Sequence, residues 1–356
     1  MTENMRKKMM LAVLLGLLGC LLGLFLDART MFASYLAAWT AVSAIPIGAL
    51  AVLFTTYLVR AGWTRDLHVP LTIAVLTLPA VAILFIPVLA GMGHLYPWAA
   101  SAADLPAFKA TYLAPWFFVV RTILYFAVFT ALALWGALAY GNEAAMKRAA
   151  STGLIVWALV ASWAGIDWLE SIEPHFHSSI YGLLAIAFDL LAGMSFGIVA
   201  LLGFKGSRTM ANAAYSGVLL SVLLLWAYLH AMQYIIIWTG NIPEEVVWYL
   251  KRLAHGWGFA LWALYILQFI LPFFALLSEK ARSSTRTLLI LALGTLALRY
   301  LESIVLILPP LKTNGFALFL DLPAAILFTG ACWLLAFDAA ARIAEQRGLS
   351  RAATAH

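Results

Sequence analysis

Apolar residues along this chain fall into ten long runs separated by short polar breaks. The runs lie near 9–26, 33–58, 70–92, 115–139, 150–171, 179–204, 213–238, 254–277, 287–308 and 318–340. Crossing a hydrocarbon core of roughly 30 Å as a helix takes about 20 mostly apolar residues. The pattern therefore predicts an all-α integral membrane protein with about ten transmembrane helices. No loop between the runs is long enough to fold as a soluble domain. The first and last runs flank eight others, which divide into 33–171 and 179–308. Each half has the size of a four-helix bundle with short connections. The expectation is one membrane domain over 1–356: a first flanking helix (9–26), two four-helix bundles, and a last helix (318–340) with a short tail. No internal repeat is visible between the halves.

Composition sharpens this picture. Of the 356 residues, 64% are hydrophobic and 11% charged, far outside a soluble globular composition. Lys and Arg divide unevenly between the two sets of loops, and such an excess marks the cytoplasmic side. One set holds Arg6, Lys7, Lys8, Arg60, Arg65, Lys147, Arg148, Lys205, Arg208, Lys280, Arg282, Arg286, Arg342, Arg347 and Arg351. The other holds Arg29, Lys109, Lys251, Arg252 and Lys312. Both termini are thus expected in the cytoplasm, in a multi-pass membrane protein. The net charge of +6 is spread over short loops, so it points to topology and not to nucleic acid. The first run has a basic start, and Leu17-Leu18-Gly19-Cys20 loosely resembles a lipoprotein cleavage box. The apolar run continues to Leu26, which favours a retained span. Cys20 and Cys332 offer neither a disulfide framework nor metal-ligand spacing.

Three loops on the Lys/Arg-poor, outer side stand out. Residues 93–114 carry Tyr96-Pro97-Trp98 and Asp104-Leu105-Pro106; a docking face and an interfacial aromatic belt fit them equally. In 241–252, Asn241 with Glu244 and Pro243 reads as a capped interfacial helix, with Val247, Trp248 and Leu250 at the membrane surface. Residues 163–182 gather Asp167, Glu170, Glu173, His175 and His177 at the end of one apolar run. Asp167, Glu170 and Ser171 share a helix face by spacing, and Pro174 is expected to stop the helix at Glu173.

Ionisable residues also lie within the runs. Arg121 sits roughly 9 Å inside the outer end of its run, at 1.5 Å per residue, and Asp167 at similar depth. Asp189 is near the middle of its run. His230 shares a face with Trp226, Gln233 and Tyr234. Arg299 and Glu302 are an i, i+3 pair, and Asp321 and His255 lie near outer ends. Each alone reads as a packing residue: Arg121 bridging to a carboxylate, Arg299 pairing with Glu302, His230 hydrogen-bonded in a core. As a set, biased to the outer half, they read as a proton half-channel, because intramembrane ionisable groups cluster along such paths. The chain has no CxxCH, no Walker motif, no glycine-rich dinucleotide fingerprint, and too few cysteines for an iron–sulfur cluster. It is expected to bind no redox cofactor of its own.

Two stretches resemble a known family. Asp167-Trp168-Leu169-Glu170-Ser171-Ile172-Glu173-Pro174-His175-Phe176, followed by Ser179-Ile180-Tyr181-Gly182, resembles a signature of the ActF-type membrane subunit of alternative complex III. Trp226-Ala227-Tyr228, Gln233 to Trp238, Asn241 to Glu245 and Tyr249-Leu250 resemble a second; Phe269 to Phe273 with Ser278 is a weaker third. The likeness covers about 150–310. Departures are Phe176-His177, Ile172-Glu173 and a short C-terminus. The resemblance implies a NrfD/PsrC-like quinol-interacting membrane protein with ten spans in two bundles. It implies an ActC-type membrane partner, haem c subunits and an iron–sulfur/molybdopterin-like peripheral subunit, with quinol as substrate. The resemblance points to Asp167, the His175 region and the buried polar groups of the sixth to ninth runs. With the outward bias of the buried charges, the proton-path candidates are Asp167, Glu170, Glu173 and His175 at the mouth and Asp189, His230, Arg299 and Glu302 inside, with Arg121 as a further candidate. By composition alone, a stand-alone ion or solute transporter of ten helices fits equally well.

Overall fold

A computed structural model describes residues 1–59, 61–101, 106–205, 212–311 and 315–346. Of the residues named above, Arg60, Asp104, Leu105, Arg208, Lys312, Arg347 and Arg351 lie outside these. The described residues contain helices and no strand. Among them, nine helices are long and apolar enough to cross a membrane.

The first two expected spans form one helix of 56 residues, α1 (Glu3–Leu58), broken at Asp27, whose φ of −158° and ψ of 94° are not helical. Gly16 and Tyr35 both lie against Phe328. A straight helix would separate them by roughly 28 Å, so limbs 3–26 and 28–58 fold back on each other. The Asp27 carboxylate accepts the backbone N–H groups of Arg29 (3.1 Å) and Thr30 (3.2 Å), capping the second limb.

The spans that follow are α2 (Thr64–Ala90), α3 (Pro115–Ala139), α4 (Glu143–Trp168), α5 (Tyr181–Lys205) and α6 (Asn212–Gly240). After them come a short helix, α7 (Pro243–Leu253), and the spans α8 (Trp257–Leu277), α9 (Thr285–Ile307) and α10 (Gly315–Gln346). Within α2 the helix restarts twice, with Pro79 and Pro87 in the new first turns. Neighbouring side chains take carbonyls freed there: Trp39 Nε1 donates to Val81 O (3.1 Å) and Tyr35 OH to Leu84 O (2.8 Å).

Limb 28–58 packs on α2 and α4, and α3 on α4; in the second half α5 packs on α6 and α9, and α8 on α6 and α9. The halves meet where limb 28–58 crosses α5. There a Cβ on Gly48 would overlap the carbonyl of Asp189, and one on Gly193 would overlap the backbone of Gly48 and Ala49. Backbones touch directly at this crossing, as small residues allow between membrane helices. Limb 3–26 lies along α10, with Gly16, Gly19 and Gly23 against Phe328, Ala324 and Asp321. The Met1 amino group (2.6 Å) and Arg6 (3.1 Å) pair with Asp338, so the chain's start lies beside the last turns of α10.

Two local expectations are corrected. No capping box forms at Asn241: the residue is left-handed (φ 45°), and the residue before α7 is Ile242, without a side-chain cap. Asparagine tolerates that conformation, so it closes α6 instead of opening α7. The α-helix of the opening motif ends at Trp168, and a 3-10 turn covers Glu170–Ile172. Glu170 and Ser171 therefore follow the helix that holds Asp167; Pro174 ends the tight turn, not the helix.

Candidate functional site

The end of α4 is built as a joint. Its last carbonyls have no partner within the helix, and aromatic donors from the 93–114 loop reach them. Tyr96 OH donates to Trp168 O (3.0 Å) and Trp98 Nε1 to Ser171 O (3.0 Å). Both aromatics are buried, so this part of the loop packs inward, neither docking face nor lipid belt. The turn beyond is tied on several sides. Glu170 accepts the Ser178 N–H (2.8 Å). Glu173 receives Lys251 (2.7 Å) and Arg252 (2.8 Å) from α7, and Phe176 stacks on Trp248 at 5.2 Å. Arg252 is 1% exposed, lies 3.6 Å over the Trp248 ring, and also donates to Trp248 O and Leu306 O. Burial pushes its guanidinium below the usual basicity, and Glu173 opposes that shift. Trp248 is buried in this joint, whereas Val247 and Leu250 are exposed on the other face of α7.

His175 and His177 are exposed and line a surface cleft with Lys109, Glu244 and Glu245. Lys109 Nζ donates to Pro174 O (2.7 Å) and lies 2.6 Å from His177 Nε2. Burial, then the Lys109 charge, hold the His177 imidazole below its ordinary value; burial likewise lowers Lys109.

Asp167 is 0% exposed and sits one residue before the end of α4, facing α3. Arg121 grips it with two N–H donors (2.7 and 3.1 Å), and Tyr125 OH adds a third (2.7 Å). Arg121 also donates to Tyr112 O (2.6 Å) and lies over the Tyr112 ring. This is a bidentate clamp between α3 and α4.

The second polar group lies between α5, α6, α8 and α9. Glu302 and Arg299 pair one turn apart on α9, as their spacing allows. Glu302 Oε1 also accepts Trp226 Nε1 (2.9 Å) and lies 3.4 Å from His230 Nε2. His230 Nδ1 lies 3.0 Å from Trp226 O. Arg299 donates to Gln268 Oε1 (2.8 Å). Gln268 stands in a π-turn, Ile266–Ile270, just before Pro272. Proline has no N–H to continue the helix ladder, and the widened turn sets Gln268 in the core at 0% exposure.

Two cavities flank this group. One, a narrow cavity of about 30 Å³, is lined by Tyr181, His230, Gln233, Tyr249, Tyr265 and Glu302 among apolar side chains. Gln233 Oε1 is buried there with no hydrogen-bond partner among the described residues. The other, also about 30 Å³, is lined by Asp189, Thr40, Ser43, Trp39, Phe129 and Trp168. Leu169, Ala185 and Phe188 border both, and the Arg299 guanidinium lies 5.0 Å from the Phe188 ring. Arg299 is ion-paired with Glu302 and makes no ion pair with Asp189 among the described residues.

The structure therefore separates the expected site residues. Asp189, His230, Arg299 and Glu302 gather around the cavities. Asp167 and Arg121 form a clamp; Glu170, Glu173 and His175 belong to the outer joint and its cleft. Gln268 went unnoticed in the sequence, where Pro272 four residues on was the available signal. Lys251 and Arg252 carried only topological meaning until α7 placed them on Glu173. Among the described residues no group of three or more His, Cys, Asp or Glu side chains is arranged to hold a metal ion. No family model matches the chain, and neither does any curated protein.

Proposed function

We propose that this chain is the cofactor-free membrane subunit of a quinol-oxidising complex of the alternative complex III type. In this reading it makes ten crossings in two four-helix bundles, limbs 3–26 and 28–58 counting separately. Both termini stand on the Lys/Arg-rich, cytoplasmic side of a bacterial inner membrane. Its partners are an ActC-type membrane subunit, haem c subunits and an iron–sulfur/molybdopterin-like peripheral subunit.

The observation that carries the reading is the meeting of the two stretches that bear the family resemblance. Phe176 and Glu173 of the first hold Trp248, Lys251 and Arg252 of α7, the helix that carries the end of the second. Trp226 and Gln233 of the second line or bind the Glu302 cavity directly beneath. A cavity with a carboxylate, an imidazole and an unpaired amide oxygen at one end and apolar walls elsewhere suits two tasks. It can pass protons outward through His230 and Glu302, and it can receive the hydroxyls of a quinol ring. Glu170, Glu173 and His175 form the outer rim of this half-channel.

Purification of the tagged chain from its native membrane tests the reading. Co-purification of haem c and iron–sulfur proteins with quinol-oxidising activity is expected. A chain that purifies alone and moves a solute in vesicles is instead the transporter.

A further inference from the structure

The cavity beside Asp189 has an unusual lining. Four side chains around it carry N–H or O–H donors, and every donor is already committed. Trp39 Nε1 donates to Val81 O (3.1 Å), and Trp168 Nε1 to Thr122 Oγ1 (3.2 Å). Thr40 Oγ1 donates to Leu36 O (2.8 Å), and Ser43 Oγ to Thr40 O (3.1 Å). What these groups still offer the cavity is lone pairs: the two hydroxyl oxygens and the Asp189 carboxylate.

Charge points the same way. Asp189 has no ion pair within 4.0 Å among the described residues, and Arg299, the charged group acting on it, is ion-paired with Glu302. An uncompensated carboxylate deep among membrane helices is costly, so a positive charge has to come from elsewhere. One carboxylate with hydroxyl oxygens is a donor set for a hard cation, and a single negative charge balances a single positive one.

We propose that the Asp189 cavity is a binding site for a monovalent metal cation, Na⁺, held by the Asp189 carboxylate and the Thr40 and Ser43 hydroxyl oxygens. A proton on Asp189 satisfies the same charge balance, so the two compete for one position. The Gly48–Gly193 crossing serves this site. It brings limb 28–58 close enough to α5 for hydroxyls and carboxylate to share one cavity. The proposal extends the reading of Asp189 as part of a charge-carrying interior to the identity of the ion.

Equilibrium binding of radioactive Na⁺ to the purified, assembled complex tests it, with choline balancing ionic strength and no quinol present. One saturable site per chain is expected at alkaline pH, with affinity falling as protons compete at lower pH. Asp189→Asn is expected to abolish binding. Should that variant fail to fold, the Thr40→Val/Ser43→Ala pair, whose positions lie away from the Arg299 network, is expected to weaken binding at least tenfold. A wild-type complex without saturable Na⁺ binding overturns the proposal and leaves a proton at Asp189. Binding that persists in folded Asp189→Asn, or at full strength in the hydroxyl pair, overturns it as well. Because turnover is not read, failure here is distinguishable from failure of the quinol-complex reading, which purification and activity decide.

Discussion

Arg121–Asp167 and Arg299–Glu302 use the same two functional groups at comparable burial and put them to different use. Arg121 and Asp167 come from two helices, α3 and α4. Three donors fill the carboxylate, and Tyr112 covers the guanidinium. Arg299 and Glu302 come from one helix and hold no pair of helices together by themselves. Their surplus contacts run to His230, Gln268 and Trp226. A saturated pair bordered by packed side chains is a brace. A pair whose surplus contacts reach an imidazole at the wall of a cavity is not closed off in this way.

Breaking the brace gives the largest expected effect. Asp167→Asn leaves Arg121 as a buried cation without its counter-charge, a loss of about 3–5 kcal/mol, read as a drop in thermal unfolding temperature in detergent. The Arg121→Met/Asp167→Leu pair removes both charges and is expected to recover most of that loss. Gln268→Leu comes next. It deletes a hydrogen bond to the Arg299 guanidinium, worth about 1.5–3 kcal/mol, and frees Arg299 to shift toward Asp189. The same unfolding measurement checks it. His230→Gln is expected to leave stability nearly unchanged while slowing proton-coupled turnover at least tenfold, about 1.4 kcal/mol of barrier.

The smallest effect lies at the outer cleft. His177 is held neutral by burial and by Lys109, so its folded-state value is below its unfolded one of about 6.5. The stability it contributes is present above that pH and is lost as pH falls through the lowered value. The site is exposed, so the effect is well under 1 kcal/mol. The difference in unfolding temperature between wild type and His177→Asn is expected to shrink on acidification.

The spans were legible in the chain because a helix that crosses a bilayer declares itself in apolar run length. The Arg299–Glu302 pairing was legible from i, i+3 spacing. What run length does not encode is depth and facing. Arg252 read as a surface charge, yet it is sealed between Glu173, Trp248 and Leu306. Tyr96 and Trp98 read as interfacial aromatics, yet they are buried and donate to carbonyls at the end of α4 and in the 3-10 turn after it. Asp167 and Asp189 looked alike as buried acids. Only the placement of Arg121 from one neighbouring helix, and of Thr40 and Ser43 from another, tells them apart.

Under the proposed role in a quinol-oxidising complex, the most direct test of this division is the rate of proton release during quinol oxidation by that complex, normalised to folded protein. His230→Gln is expected to slow release at least tenfold, about 1.4 kcal/mol, while the Arg121→Met/Asp167→Leu pair releases protons at the wild-type rate. A pair variant that loses proton release beside a His230→Gln enzyme that keeps it would contradict the account.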